Sequence, residues 1–342
     1  MPKLNYKRSP IDNRDHILNF SKLKPAESAS SDLSQFCTSI KDQGSVGSCT
    51  AHAGVALMEY FYRKNMGGKI DDLFSEKFLY YTTRVDIEKT PRTDDSGAYV
   101  RDTLKSMVQF GVCLEQTFPY LSNGETFCRI GDTPTQDAYS EALKYQVTKY
   151  ARILETDKNQ CLSDLKNLLQ NGNAFIGGFI CYENIFKNPS KNFKGLIPMP
   201  AGKIIGGHAV LFVGFDDAQK VFKFKNSWGT SWGDNGYGYL PYQYILSGNM
   251  SDLWTVYQEE FDNKPFDIIV PKNRATCFKQ RLNEILVKLA EGTDLSTVIS
   301  SIQNNPDNSL LFKQDIVELV SFVNKVNSQI NTSQTNSSRI KP

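Results

Sequence analysis

The hydrophobic positions between Cys49 and Lys64 follow the spacing of an α-helix. Five residues of this stretch recur at i, i+3 and i+4 and would share one buried face: Ala53, Ala56, Leu57, Tyr60 and Phe61. The glycine-rich stretch GSVGS precedes them and contains Ser48, which is a favoured N-cap residue. The pattern therefore places Cys49 at or near the first position of a helix.

Helical patterns dominate the first half of the chain and strand patterns the second. Two more helices are predicted, over residues 97–110 up to Gly111 and over residues 159–170 up to Asn171-Gly172. Three apolar runs predict strands: AFIGGFICY (174–182), HAVLFVG (208–214) and VFKFKN (221–226), the last two joined by the turn-rich sequence DDAQ. This order predicts an α+β fold with a cleft between two lobes.

Composition changes near both ends of the chain and predicts four segments. These are a polar N-terminal segment (1–33) with a flexible linker at 21–32, a main domain (34–262), a helical extension (263–330) and a disordered tail (331–342). The extension carries three apolar stripes, at residues 278–289, 295–302 and 316–323, and each has helical spacing. We expect these three helices to pack together or onto the main domain.

The overall composition excludes several classes of function. The 342 residues include 39 basic and 37 acidic side chains, which leaves a net charge of +2 without a basic cluster, so a nucleic-acid partner is not expected. No apolar run reaches the roughly 20 residues that span a bilayer, and the N-terminus lacks the apolar core of a secretory signal. We therefore expect no membrane partner and a location in the cytoplasm, or in a virion or delivered effector. With three histidines and seven widely spaced cysteines, no metal site or cofactor is expected.

Cys49 is the candidate nucleophile. A thiol becomes reactive as a thiolate, and the positive end of a helix dipole lowers its pKa. Gln43 lies six residues upstream on a loop, where its side-chain amide could join the Cys49 backbone N–H in an oxyanion hole. The sequence thus predicts a thiol activated at a helix start with donors for a tetrahedral intermediate beside it.

The base and its orienting partner are predicted from the two strands of the second half. His208 follows Gly206-Gly207 at the start of an apolar strand, and Asn226 ends the next one. An amide oxygen at Asn226 could accept the second imidazole N–H and fix the tautomer, with Trp228 covering that bond. His52 is an alternative base, but its position three residues after Cys49 on the same helix favours a place in the core.

These residues stand in motifs that resemble the papain-like cysteine peptidases. The matching stretches are QGSVGSC (43–49), GGHAVLFVGF (206–215) and KNSWGTSWGDNGYGYL (225–240), and the resemblance covers about residues 34–261. It implies a two-lobed fold with a helical left lobe and a β-barrel-like right lobe. It also implies that Gly97, Ala98, Trp228 and Val256 contact the substrate, and that residues 1–33 are a short pro-like region.

Two departures from the usual family sequence narrow the resemblance. Val46 replaces a cysteine that usually forms a disulfide, which fits a reducing compartment, and Thr50 replaces a usual tryptophan or tyrosine. The form QGxxGSCTA is similar to a branch found in bacteria and large DNA viruses.

The hypothesis is a cysteine endopeptidase acting on a protein or peptide. Alternatives are a transamidase, an enzyme that removes ubiquitin-like tails, and a non-catalytic binding protein.

Overall fold

The computed structural model describes residues 2–65, 74–121, 128–186, 193–256 and 269–270, with three isolated positions at 294, 297 and 300. The chain divides into two compact units, Met1–Val270 and Pro271–Pro342. Residues 1–33 thus belong to the same unit as the predicted main domain. The apolar stripes predicted between residues 278 and 323 and the tail lie outside the described residues, apart from those isolated positions.

Six α-helices are described in the first unit. They are α1 (Cys49–Asn65), α2 (Glu76–Tyr81), α3 (Val100–Gln109), α4 (Gln136–Ala142), α5 (Lys158–Gln170) and α6 (Gln243–Leu246). The backbone N–H of His52 donates to the carbonyl of Ser48 at 3.0 Å, so Ser48 holds the N-cap position and Cys49 is the first helical residue, as predicted. Among the described helices, none is long and apolar enough to cross a membrane.

Two helices begin at other residues than their patterns predict. α3 starts at Val100, not at Gly97, because Gly97 has a φ of +70° and the Ala98 carbonyl accepts a bond from the Lys7 backbone at 3.2 Å. α5 starts one residue early, at Lys158, where the Asp157 carboxylate accepts the N–H groups of the following turn. Neither contact belongs to the hydrophobic pattern.

A seven-stranded antiparallel sheet forms the second half of the unit. Its strands are β1 (Ser30–Asp32), β3 (Tyr150–Arg152), β4 (Phe175–Tyr182), β5 (Ile204–Asp216), β6 (Val221–Lys225), β7 (Tyr237–Pro241) and β8 (Met250–Val256). The order is β3-β8-β4-β5-β6-β7, with β1 paired to β5; β2 (Gln146–Val147) and β9 (Ile269–Val270) form a separate pair. The predicted hairpin is confirmed: β5 and β6 pair with Phe215 opposite Phe222.

The predicted flexible linker at residues 21–32 is in fact held against the domain. Its last residues form β1, in which Ser31 pairs with Phe215 of β5. Its backbone N–H groups also find acceptors on α5, since Ala26 N donates to Asn167 Oδ1 at 2.6 Å and Ser28 N to Gln170 Oε1 at 3.2 Å. Composition alone indicated a linker, because the acceptors of these backbone N–H groups lie on residues that are distant in sequence.

Helix α1 packs against β5, and this contact creates the site. The apolar face of α1 is buried as its spacing predicts, with Leu57, Tyr60 and Phe61 fully enclosed. His208 lies opposite Phe179 in the β5–β4 register and is also fully buried. The observed fold is therefore the predicted α+β arrangement, with the helix that begins at Cys49 lying on the strand that carries His208.

Candidate active site

Cys49 is enclosed completely, with no exposed surface. Burial raises the pKa of its thiol to about 11, although the backbone N–H groups of Ala209, Thr50 and Cys49 itself act in the opposite direction. The helix start predicted a lowered pKa. In this conformation the cost of burying a thiolate exceeds the stabilisation that the helix start supplies, so the thiol is protonated at neutral pH.

His208 and Asn226 form the predicted pair. His208 Nε2 lies 2.7 Å from Asn226 Oδ1, and the Ser227 backbone N–H donates to the same oxygen at 2.9 Å. Because that oxygen can only accept, Nε2 carries the hydrogen and Nδ1 is the basic nitrogen. His208 Nδ1 is buried and has no hydrogen-bond partner among the described residues. Burial lowers the pKa of His208 to about 4, despite the opposing effect of the bond to Asn226.

Trp228 lies over the imidazole, as its position after Asn226 predicts. The two rings stack with centroids 4.5 Å apart and planes inclined by 28°, and Trp232 packs edge-on against Trp228 at 5.0 Å. Trp228 is itself 7% exposed. The indole therefore shields the His208–Asn226 hydrogen bond from water on one face, which strengthens it.

Gln43 is buried beside the nucleophile loop, but its amide is already engaged. Nε2 donates to the Val46 carbonyl at 2.8 Å, and Oε1 accepts from Ser227 Oγ at 2.6 Å. The Gln43 backbone N–H also donates to the Ser227 carbonyl at 2.9 Å. These bonds tie the loop before Cys49 to the residue after Asn226. The amide carries a second N–H, and the predicted oxyanion role depends on that hydrogen.

His52 lies in the core, as expected of a residue on the buried face of α1. Its Nδ1 lies 3.0 Å from the Ser48 carbonyl and 3.3 Å from Ser48 Oγ, and Tyr120 packs edge-on against its ring. Burial lowers the pKa of His52 to about 3. A ring held against its own helix start and a neighbouring tyrosine has a packing role.

The N-terminal segment, residues 3–9, lies across the site. Gly207 N donates to the Leu4 carbonyl at 3.2 Å, and Tyr6 N donates back to the Gly207 carbonyl at 3.3 Å. On the opposite side, Asn5 O lies against Gly97, where an added Cβ would be 1.8 Å from that oxygen. The segment therefore fills the space between the residue before His208 and the residues that the resemblance implies for substrate contact.

Charged and polar groups bind this segment to the domain, and these contacts were not predicted from the sequence. Three ion pairs join it to the domain: Lys3–Asp95 at 2.9 Å, Lys7–Glu88 at 2.7 Å and Arg8–Glu155 at 3.3 Å. Asp95 also accepts the Gly47 N–H at 3.1 Å and the Tyr80 hydroxyl at 2.6 Å. The only sequence signal is the basic character of residues 3–8, since each acidic partner is far away in the chain.

Other residues singled out from the sequence lie in the interior. Val256 is buried in β8 and pairs with Tyr150 of β3, so its place in a specificity pocket stays a prediction. Val46 and Thr50 are buried beside Cys49. The thiols of Cys113, Cys161 and Cys181 are unpaired and buried, and burial raises the pKa of each. In the described part of the chain, no group of His, Cys, Asp and Glu side chains is arranged to hold a metal ion.

Comparison with known proteins agrees with this geometry. Residues 25–251 match the papain family cysteine proteases. The chain belongs to the papain family. A relative in Acanthamoeba polyphaga mimivirus, an uncharacterized peptidase C1-like protein, is 35% identical over 221 residues, covering 63% of this chain and 68% of the relative. Chymopapain of Carica papaya is 28% identical over 227 residues, with 66% and 56% covered. The chain spans about half of several such relatives, including 41% of the gamete and mating-type specific protein A of Dictyostelium discoideum.

Solved structures of papain-family members confirm the fold. Xylellain, a cysteine protease from Xylella fastidiosa, is 30% identical with a TM-score of 0.62, and the match covers 76% of this chain and 98% of xylellain. A procathepsin B from Trypanosoma congolense has a TM-score of 0.57 at 19% identity, which shows the fold alone. The bacterial and viral relatives confirm the likeness that the QGxxGSCTA motif predicted.

Proposed function

We propose that this papain-family chain is an endopeptidase that hydrolyses peptide bonds through an acyl-thioester on Cys49. His208 is the base, Asn226 orients it, and Gln43 with the Cys49 backbone N–H stabilises the oxyanion. The observation that supports this most is the bond from His208 Nε2 to Asn226 Oδ1 at 2.7 Å. It leaves Nδ1 as the one nitrogen able to take a proton, on the strand against which the Cys49 helix packs.

The reaction follows from these assignments in two steps. His208 Nδ1 takes the thiol proton, and the Cys49 thiolate attacks the scissile carbonyl carbon. The C–N bond then breaks, and the amine leaves with the proton from the imidazolium. In the second step, His208 takes a proton from water as the water attacks the thioester. The C–S bond breaks, releasing the carboxylic acid product, and the proton returns to the thiolate.

We also propose that residues 3–9 inhibit this reaction while they occupy the cleft. Their backbone N–H groups donate to the Ala98 and Gly207 carbonyls, which an extended substrate would need as hydrogen-bond acceptors. Cys49 is also fully enclosed. A high thiol pKa together with a low imidazole pKa keeps both groups neutral. Once the segment leaves, water and substrate reach the site, and the thiolate–imidazolium pair becomes accessible.

A cleavable variant tests both proposals. Ile11 is 81% exposed, so the recognition sequence of a specific protease can replace the residues around it and be cut after folding. We expect the uncut protein to be nearly inactive on a library of quenched fluorescent peptides, and the cut protein to hydrolyse them. The Cys49→Ala variant, cut in the same way, serves as control. Activity in that control, or none in the cut protein, would contradict the assignment.

The same assay separates the alternative functions. With a primary amine added, a transamidase would give mainly the amine-trapped product, and an enzyme specific for ubiquitin-like tails would ignore short peptides. A non-catalytic binding protein would bind peptides without cleaving them. We expect free carboxyl termini as the main product.

A further inference from the structure

The loop that leads into Cys49 is hydrogen-bonded to Asp95, which lies on the loop before α3. The Gly47 backbone N–H donates to the Asp95 carboxylate, and both oxygens lie 3.1 Å from the nitrogen. A Cβ added at Gly47 would lie 3.2 Å from Asp95 Oδ1, so any other residue there would crowd the carboxylate. Because only Ser48 separates Gly47 from Cys49, this bond restricts the position of the Cys49 backbone N–H.

A buried tyrosine joins Asp95 to the backbone of Gly97. The Tyr80 hydroxyl donates to Asp95 Oδ1 at 2.6 Å and accepts the Gly97 N–H at 3.1 Å. A phenol has one hydrogen to donate, so these two bonds set the direction of that hydroxyl. Tyr80 is 1% exposed, and the guanidinium carbon of Arg84 lies 4.3 Å from the centre of its ring. This packing keeps the hydroxyl between Asp95 and Gly97.

The carboxylate of Asp95 therefore connects two parts of the proposed active site. One is the loop that ends at Cys49, whose backbone N–H we place in the oxyanion hole. The other is Gly97, which the resemblance implies for substrate contact and whose φ of +70° only glycine adopts readily. Hydrogen bonds to a charged carboxylate are roughly twice as strong as those between neutral groups. A single side chain thus holds both parts in a fixed relation.

The nucleophile loop depends on such bonds because no disulfide forms within the described part of the chain. Gln43 ties the start of the loop to Ser227, through the 2.6 Å bond that its Oε1 accepts. Asp95 provides the link from the last residues of the loop to Gly97. The two attachments lie at opposite ends of the loop, so loss of Asp95 would leave its Cys49 end less restrained.

Asp95 also binds the N-terminal segment, through bonds that are separate from these. Lys3 Nζ lies 2.9 Å from Asp95 Oδ2, and the Asp95 backbone carbonyl accepts bonds from Lys3 Nζ at 3.0 Å and Asn5 Nδ2 at 2.9 Å. All three bonds would be lost when the segment leaves the cleft. The bonds from Gly47 and Tyr80 lie within the rest of the domain and would persist, so the carboxylate keeps a role in the open enzyme.

We propose, building on the peptidase function above, that Asp95 is a positioning residue for the reaction. It holds the Cys49 backbone N–H where the oxyanion forms, and it holds Gly97 where the substrate backbone binds. The oxyanion contact is made only in the transition state, so its loss lowers kcat. The backbone contact is made by the bound substrate as well, so its loss raises KM. Because a misplacement of about 1 Å can cost a hundredfold in rate, we expect Asp95→Ala to lower kcat by about ten- to a hundredfold.

Steady-state kinetics on the protease-cut full chain, with one peptide substrate, test this role. Asp95→Asn keeps one acceptor oxygen, so its kcat should lie at least about threefold above that of Asp95→Ala. Tyr80→Phe keeps the ring beside Arg84 and the bond from Gly47 to Asp95. It should therefore raise KM by about three- to tenfold and leave kcat within about twofold. Lys3→Met is the control, because it removes only a bond to the segment, and both constants should stay within about twofold.

Labelling of Cys49 by iodoacetamide separates positioning from general damage. Alkylation needs the thiolate and its base but forms no oxyanion, so labelling of Asp95→Ala should stay within about threefold of the unaltered protein while kcat falls. Equal falls in labelling and kcat, or a kcat within about threefold of the unaltered protein, would overturn the proposal and leave the peptidase function standing. Should Asp95→Ala not fold, the KM of Tyr80→Phe decides, and an unchanged KM would overturn it. Absence of peptide hydrolysis by the unaltered cut protein would refute the peptidase function and this proposal together.

Discussion

His208 Nε2 and Asn226 Oδ1 are 2.7 Å apart, and the second bond that this oxygen accepts fixes how the amide is oriented. The Ser227 backbone N–H, which can only donate, lies 2.9 Å from the same atom. The amide therefore presents its oxygen to the imidazole, and Nδ1 is left to exchange protons. Trp228 stacks on this ring at 4.5 Å and shields the arrangement.

Replacing Asn226 should impair catalysis more than stability. In Asn226→Ala the imidazole loses its orienting partner, and we expect kcat/KM to fall by about a hundredfold, at the lower end of the range typical of positioned acid–base catalysis. Asn173→Ala removes another buried amide, far from His208 in the turn before β4, and serves as the matched control. Steady-state kinetics on both variants decide the matter: an equal fall in each would show that the effect is structural.

The two buried histidines should differ in their effect on the thiol. In the protease-cut protein, His208→Ala should slow iodoacetamide labelling of Cys49 at neutral pH by about a hundredfold, because no base remains to hold the thiolate. His52→Gln should leave the rate within about threefold, since His52 contacts Ser48 and Tyr120 rather than the nucleophile. Labelling is followed by mass spectrometry. The opposite ranking would make His52 the base.

The pH dependence of labelling should show whether residues 3–9 control the thiol of Cys49. In the uncut protein burial raises the thiol pKa to about 11, so the thiolate fraction, and with it the labelling rate, should rise about tenfold per unit between pH 8 and 10. In the cut protein the ion pair with His208 should make the rate nearly independent of pH in that range. Identical profiles for the two forms would mean that residues 3–9 do not control the thiol.

Salt should favour opening of the cleft. In the ion pairs Lys3–Asp95 and Arg8–Glu155, the Lys3 side chain is 44% exposed and the Arg8 side chain 58% exposed. Counter-ions in solution therefore screen both pairs. We expect basal activity of the uncut protein to increase by about two- to fivefold between low and high ionic strength, and the Lys3→Met/Arg8→Met variant to lose most of that dependence. The cut protein is the control and should show no such increase.

A buried cluster behind the site should contribute strongly to stability. Lys41 Nζ lies 3.0 Å from Glu59 Oε1 and 2.7 Å from Glu76 Oε1, and both glutamates are nearly inaccessible. Lys41→Met leaves two buried carboxylates without this cation and should lower the unfolding free energy by about 3–5 kcal/mol. The more exposed pair Lys166–Asp217 is the matched control, and Lys166→Met should cost less than about 1 kcal/mol.

The sign of the pH dependence offers a second test of this cluster. Burial raises the pKa of Glu76 above its ordinary value, so its ionisation destabilises the fold as pH rises through the raised pKa. Without Lys41 that pKa should rise further. Chemical denaturation should therefore show a larger loss for Lys41→Met at pH 8 than at pH 5. A loss that did not change with pH would mean that the carboxylates find other cations.

Local patterns were sufficient to predict the helix and the two strands that carry the proposed catalytic residues. Cys49 follows a glycine-rich loop with an N-cap serine, His208 begins an apolar run that lies within β5, and Asn226 directly follows β6. Each signal lies within a few residues of the group that it positions. The start of α3 and strand β1 were predicted less well because they depend on tertiary contacts, namely Lys7 with Ala98 and Ser31 with Phe215.

The covered state of the site could not be predicted from sequence. Tyr6 and Asp252 are 246 positions apart, and nothing in either local sequence indicates that they meet. The helix start at Cys49 predicted a lowered thiol pKa, but burial of the thiol raises that pKa to about 11. Which effect prevails is a property of the folded chain, because desolvation depends on everything that surrounds the sulfur.

The acyl-thioester on Cys49 is the most direct test of the whole account. The protease-cut protein is mixed rapidly with a peptide ester, quenched in acid and digested, and the fragments are weighed by mass spectrometry. We predict that the fragment containing Cys49 carries the mass of the acyl group, that the adduct disappears when turnover is complete, and that it is absent in Cys49→Ala. Turnover without an adduct on Cys49, or an adduct on another residue, would contradict the mechanism.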